Sequence, residues 1–168
     1  MTSRAQTKLG MRPLLPADVP LLAEIFRASI EELAADDYSE AQQEAWAAAA
    51  DDEKAFGARL ATALTLVATY SGSAIGFASL ADNVRIDMLY VHPAAAGQGA
   101  GAMLCDALEK LAAARGAKDL TVEASDTARA FFEKRGYAAQ RRNTVMLAGE
   151  WLANTTMVKR LAAADGSA

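Results

Sequence analysis

The chain is poor in the residues that staple or metallate small proteins: 168 residues hold one cysteine, Cys105, and one histidine, His92. A lone thiol excludes a disulfide within the chain, and without a Cys/His cluster no metal site is expected. Cys105 falls in the apolar pattern of a helix and reads as a small buried hydrophobe rather than a nucleophile. No apolar run approaches the length of a membrane span. The opening "MTSRAQTKLGMRPL" has no apolar core of signal-peptide length, so a cytoplasmic protein is expected. Positive charge is scarce too. A net charge of −4 offers no basic surface to nucleic acid or an anionic membrane, and neither is expected as a partner.

What is present suits one core: 52% of the residues are hydrophobic, with no internal repeat and no interdomain linker. A single domain is expected over residues 9–161, between flexible ends at 1–8 and 162–168. "KLGMRPL" reads as a strand. Leu21, Leu22, Ile25, Ile30 and Leu33 then recur near helical spacing, with Asp18 placed to cap the helix. The alanine-rich stretch to Thr62 holds two helices broken near Asp51 and Asp52. Three strands follow, turning at Ser71-Gly72-Ser73 and at Asp82-Asn83, as an antiparallel meander. Further on come a helix with Leu104, Leu108, Leu111 and Ala112 inward and Asp106, Glu109 and Lys110 outward, ended at Arg115-Gly116, and the strand "KDLTVEA". A short helix from Ser125 or Asp126 to Gly136 and a hairpin turning at Gly149-Glu150 complete the order. It is an α+β layout around one mixed, mostly antiparallel, twisted sheet flanked by helices.

Between the third meander strand and its helix lies "GQGAGA", residues 97–102. Glycines there let the backbone turn sharply and approach a ligand, and the first amides of the helix have no intrahelical acceptor. Phosphate binds readily at such a place, and no acidic residue lies between Asp87 and Asp106 to repel it. Two phosphate-binding readings compete. The stretch matches the dinucleotide fingerprint through Gly97, Gly99 and Ala102, with Glu123 a little over twenty residues on. The fingerprint, however, should open a series of βαβ units, and here a meander precedes it.

The second reading rests on longer patterns. "LYVHPAAAGQGAGAMLCDALEKLAAARG" followed by "LTVEASDTARAFFEKRGY" resembles the GNAT superfamily of acyl-CoA-dependent N-acetyltransferases. The likeness extends through "MRPLLPADVPLLAEIFRASI", "LVATYSGSAIGFASL" and "LANTTMVKRL", nearly the whole chain. It implies a GNAT-like acyl-CoA N-acyltransferase fold and transfer of an acetyl group from acetyl-CoA to a primary amine by direct attack on the thioester. The acceptor, a small molecule or a peptide amine, is left open, as is a homodimer.

Residue by residue, the resemblance places the coenzyme A pyrophosphate on the backbone of Gly97, Gln98, Gly99, Ala100, Gly101 and Ala102. It places the pantetheine arm along Leu89, Tyr90 and Val91, in a gap where their strand splays from "LTVEA". Ser125 and Phe132 complete the cofactor contacts. Asp87 leads as the base that takes the ammonium proton, on the face of Leu89 and Val91 by period two, and Glu123 is second. Tyr38, Gln42 and Trp46, spaced by four on one side of a helix, suit an acceptor pocket, with Tyr38 and Trp46 as its lining. Two departures stand out. Ala96 lies where the family has Gln or Arg, and Phe132 lies where it commonly has the tyrosine that protonates the leaving thiolate. A binding module that has lost catalysis, and less readily a dinucleotide-binding domain, are the alternatives.

Overall fold

The computed structural model describes residues 8–162. Apart from Lys8 and Ala162, the ends expected to be flexible lie outside the described residues. β1 (Leu9–Pro13), β2 (Leu64–Tyr70), β3 (Ser73–Ala81), β4 (Arg85–Val91), β5 (Asp119–Ser125), β6 (Ala138–Leu147) and β7 (Glu150–Arg160) form one sheet in the order β1-β2-β3-β4-β5-β7-β6. Every neighbouring pair is antiparallel except β4 with β5. The helices are α1 (Val19–Leu33), α2 (Glu40–Ala47), α3 (Glu53–Thr62), α4 (Ala100–Ala114) and α5 (Arg129–Lys134). No described helix is long and apolar enough to cross a membrane.

Two apolar clusters sandwich the sheet. Leu22, Ile25, Phe26 and Ile30 of α1, with Phe56 and Leu60 of α3, pack on Val67, Phe77 and Met88. On the other face Leu104, Leu108 and Ala112 of α4, with Phe132 of α5, pack on Ala78, Ile86, Leu120 and Met157. The buried face of α1 is therefore narrower than expected, because Leu21 and Leu33 stay exposed. Asp18 does not cap α1. Its carboxylate turns back to accept from the Leu15 amide at 2.7 Å and from two nitrogens of Arg12, each at 2.8 Å, tying the helix entry to β1.

Local chemistry sets the ends of the elements. Asp52 accepts from the Ala55 amide and so starts α3. Both α4 and α5 stop in the same way, with a glycine at positive φ, Gly116 or Gly136. The amides of Ala117 and Tyr137 then reach back to the carbonyls of Ala112 and Phe132. In α5 this closure sets the Tyr137 ring edge-on to Phe132 with centroids 5.2 Å apart, which fixes Phe132 facing the sheet. The final hairpin turns at Ala148-Gly149, both at positive φ, one residue before the expected turn.

Glu109, expected on the solvent side of α4, is drawn inward with a side chain only 11% exposed. It accepts from Tyr137 Oη and Lys159 Nζ, each at 2.9 Å, so it links α4 to the start of β6 and to β7. Its neighbour Cys105 is fully buried. Burial first, and the Glu109 charge second, push that thiol up to about 11, so it stays a neutral hydrophobe at pH 7.

Candidate active site

β4 and β5 pair only as Arg85↔Thr121 and Ile86↔Val122, and beyond these the two strands diverge. The divergence begins at a bulge. Ser79 of β3 faces Met88 and Leu80 faces Ile86, so Asp87 is an extra residue, and a bulged strand bends away from its line. From Asp87 to Val91 the β5-facing backbone edge of β4 has no strand partner among the described residues. On the other edge β3 approaches so closely that a Cβ on Gly76 would lie 2.9 Å from the Tyr90 carbonyl oxygen.

Two cavities fill the gap. The larger, about 390 Å³, runs from Arg59, Arg85 and Asp87 to Glu123 and to Leu152 and Asn154 of β7. The smaller, about 210 Å³, lies between the end of α1, Gly101 at the start of α4, and Phe131 of α5. Trp46, Leu89, Tyr90, Ser125 and Ala128 line both, so these residues mark the passage between them.

Of the amides expected in the turn into α4, that of Gln98 is engaged by the Ala95 carbonyl at 3.4 Å. Gly97 and Gly99 sit at φ of 84° and 91°, a left-handed backbone that glycine adopts without strain. A Cβ at either would touch nothing within 4 Å, so conformation alone, not crowding, calls for glycine. Among the described residues no side chain caps the helix. Its first backbone bond runs from Met103 to the Gly99 carbonyl, which leaves the amides of Ala100, Gly101 and Ala102 without intrahelical acceptors. Of this stretch Gly101 lines the smaller cavity, and Ala100 is buried in the core behind it.

Asp87 lies in the larger cavity, but its neighbours differ from the expected ones. The bulge breaks the period of two. Leu89 and Val91 pack toward α4, whereas Asp87 turns to α3 and meets Arg59 at 2.8 and 3.1 Å. Arg85, on its own strand, donates to it as well at 2.8 Å. Burial would raise the Asp87 carboxyl, but hydrogen bonds and charge from Arg59, then Arg85, outweigh it and hold the group below the usual carboxylate range. Glu123 lies on β5, across the gap, with an exposed side chain that accepts from Thr156 Oγ1 at 3.1 Å.

Tyr90 turns to the α1 side, edge-on to Phe26 at 4.7 Å, and its oxygen accepts from Trp46 Nε1 at 3.2 Å. Burial pushes the Tyr90 hydroxyl up to about 12, so it remains protonated, with its hydrogen still to donate. Tyr38 is not on the helix with Trp46. It precedes Ser39, which caps α2, and its hydroxyl donates to the Ala153 carbonyl and accepts from the Asp126 amide, leaving only its ring to line the cavity. Gln42 is likewise occupied, donating to the Trp151 carbonyl. Ser125 Oγ accepts from the Ala128 amide at 3.1 Å, and Phe132 closes the larger cavity from below. Sequence reasoning missed Arg59 and Arg85. The second was within reach, two residues from Asp87 on one strand; the first depends on how α3 docks.

An amide-rimmed helix start, an unpaired strand edge leading from it and a cavity at the far end define an acyl-CoA N-acyltransferase fold. The dinucleotide alternative falls on topology, since among the described residues β4 and β5 are the only parallel pair. Residues 34–161 match the acetyltransferase (GNAT) domain, and the chain belongs to the GNAT family of N-acetyltransferases, whose acyl donor is acetyl-CoA. An uncharacterized N-acetyltransferase of Escherichia coli K12, YafP, is 33% identical over 89% of this chain and 94% of its own length. The crystal structure of a GCN5-related N-acetyltransferase (aminotransferase, class-II) from Rhodopseudomonas palustris is 60% identical. It superposes with a TM-score of 0.91, covering 95% of this chain and all of that one. The PaiA N-acetyltransferase of Thermoplasma acidophilum, crystallised with coenzyme A, shares the fold at 20% identity and a TM-score of 0.74, over 92% of this chain and 99% of that one. The residues present suit such a donor: open space at Gly97 and Gly99, free first-turn amides and an unpartnered β4 edge.

Proposed function

We propose that this acetyltransferase moves the acetyl group to a primary amine seated in the larger cavity, in the cytoplasm, with Glu123 as the carboxylate that receives the ammonium proton through a water. The observation that carries the reading is the end of β4–β5 pairing at Ile86, because it opens a backbone edge that leads from the α4 amides to the cavity. The amides of Gly97 and of Gly99–Ala102 hold the diphosphate, and Leu89, Tyr90 and Val91 offer their backbone to the pantetheine arm as a neighbouring strand would. Bound there, acetyl-CoA supplies an activated acyl carbon at the passage between the cavities. A β4 amide in that stretch can polarise the carbonyl oxygen.

Glu123 takes the base role from Asp87 on chemical grounds. A general base works best with a pKa near the operating pH, and two guanidiniums hold Asp87 below the ordinary range and occupy its oxygens. Glu123 is exposed, and among the described residues it has one side-chain donor, Thr156. Tyr90 answers the loss of a hydroxyl at Phe132, since its free hydrogen can be donated to the departing sulfur at the passage.

The test is thiol release from acetyl-CoA with a panel of primary amines, beside calorimetric titration of the donor. Glu123→Gln is expected to lower kcat by roughly 10²–10⁴ while leaving the acetyl-CoA Kd within about twofold. Undiminished turnover in that variant would return the base role to another group, and no donor binding at millimolar concentration would end the reading.

A further inference from the structure

The larger cavity holds more positive charge than its ion pairs need. Arg59 and Arg85 both line it, and among the described residues both pair with the same carboxylate, Asp87. One guanidinium charge is therefore left without a partner at that end. The two side chains are 48% and 41% exposed while the Asp87 side chain is 13% exposed, so the carboxylate lies beneath and the guanidiniums face outward. Arg59 uses Nε and Nη2, and Arg85 uses Nη1. Arg59 Nη1, with Arg85 Nε and Nη2, has no acceptor among the described residues. A fork of donors fixed from behind by a buried acid is pre-organised for a planar anion.

Glu123 stands on β5, one residue past the last β4–β5 pair, and beyond it the cavity is lined by the apolar side chains of Trp46, Leu152 and Val145. Two outward guanidiniums, a carboxylate on the neighbouring strand and an apolar wall beyond match a zwitterion with an apolar side chain. We infer that the acceptor is a free amino acid of this kind, its carboxylate on Arg59 and Arg85 and its amine toward Glu123. This rests on the reading that the larger cavity is the acceptor site. Asp87 is then a positioning residue that sets the two arginines rather than one that touches the reacting atoms.

The experiment measures kcat/KM by thiol release for three compounds with one side chain: L-phenylalanine, phenethylamine and L-phenylalaninamide. The leucine set of acid, amine and amide runs beside it. The amide mimics a peptide N-terminus, and the amine lacks the anionic group altogether. The free acids are expected to exceed their amines and amides by about ten- to a hundredfold, the size of one charge-assisted contact. In Arg85→Gln that ratio should fall toward one through a higher KM for the acid, and Arg85→Lys should restore part of it. A merely structural arginine would lower all three rates together and leave the ratio intact, which would overturn the inference. Amines or amides used as well as the acids would overturn it too, with acetyl transfer itself standing. Failure of the wider reading looks different: acetyl-CoA would not bind, or no amine would release thiol.

Discussion

Replacing Gly99 with alanine isolates the step on which donor binding depends. The residue sits at φ of 91° and ψ of 2°, and a Cβ there would touch nothing within 4 Å, so the penalty is purely conformational. Placing an L-residue in the left-handed region costs roughly 1–2 kcal/mol. Loss of glycine's freedom in the unfolded chain returns about 0.4–1 kcal/mol, so Gly99→Ala should destabilise by about 1 kcal/mol net. For a domain of this size that lowers Tm by roughly 2–4 °C. The affinity effect is larger. Relief of the strain swings the peptide planes on both sides of residue 99, so at least one amide leaves the diphosphate. One charge-assisted hydrogen bond is worth about 1.5–3 kcal/mol, roughly ten- to 150-fold in Kd. Gly101→Ala is the control. Its Cβ would meet the Phe131 ring at 3.6 and 3.7 Å, ordinary contact, and no left-handed backbone is involved. That variant should hold or raise Tm and lose less affinity. Calorimetric titration of acetyl-CoA beside thermal denaturation reads both quantities. If Gly99→Ala loses stability yet binds acetyl-CoA as tightly as the parent, the turn amides do not grip the diphosphate and the reasoning fails.

Two further outcomes concern stability. Tyr38→Phe strands the Asp126 amide and the Ala153 carbonyl, now bonded at 2.9 and 2.6 Å, and should cost about 2 kcal/mol in denaturant unfolding. A loss below about 0.5 kcal/mol would mean that water replaces the hydroxyl. Burial would raise the Glu109 carboxyl, but bonds from Lys159, Tyr137 and Cys105 hold it below its ordinary value of 4.5. Its stabilisation is therefore complete above the unfolded-state value and fades as pH falls through the lower folded-state one. Glu109→Gln should lower stability at pH 7 by about 2 kcal/mol and flatten the acid limb of a Tm-against-pH curve below about pH 4.5. An unchanged acid limb would show that other carboxylates govern it.

The legible parts of the site are those written in short range. Gly97 and Gly99 announced a sharp turn, which the structure makes with left-handed backbone at both, and the periodicity of Leu104, Leu108 and Ala112 announced the helix behind it. The meander was readable from its turn residues. Asp87 was visible as a carboxylate on a strand near the gap, but its face was misjudged. One extra residue in the β3–β4 ladder inverts the alternation, and nothing in "RIDMLYV" marks it. Tyr38 and Trp46 reach the cavity as spaced, yet a cap at Ser39 removes Tyr38 from the helix and ties up its hydroxyl.

Helix and strand periods and turn residues sufficed for the order of elements, and the resemblance carried by the two joined motifs for the family and the donor, because each depends on residues near one another in the chain. The tertiary structure alone decided the charge map of the cavity. Arg59 on α3, Arg85 and Asp87 on β4, Glu123 on β5 and Thr156 on β7 meet only when the sheet twists and a bulge turns one strand. A carboxylate's basicity follows from the charges packed beside it, and those come from segments that sequence spacing does not relate.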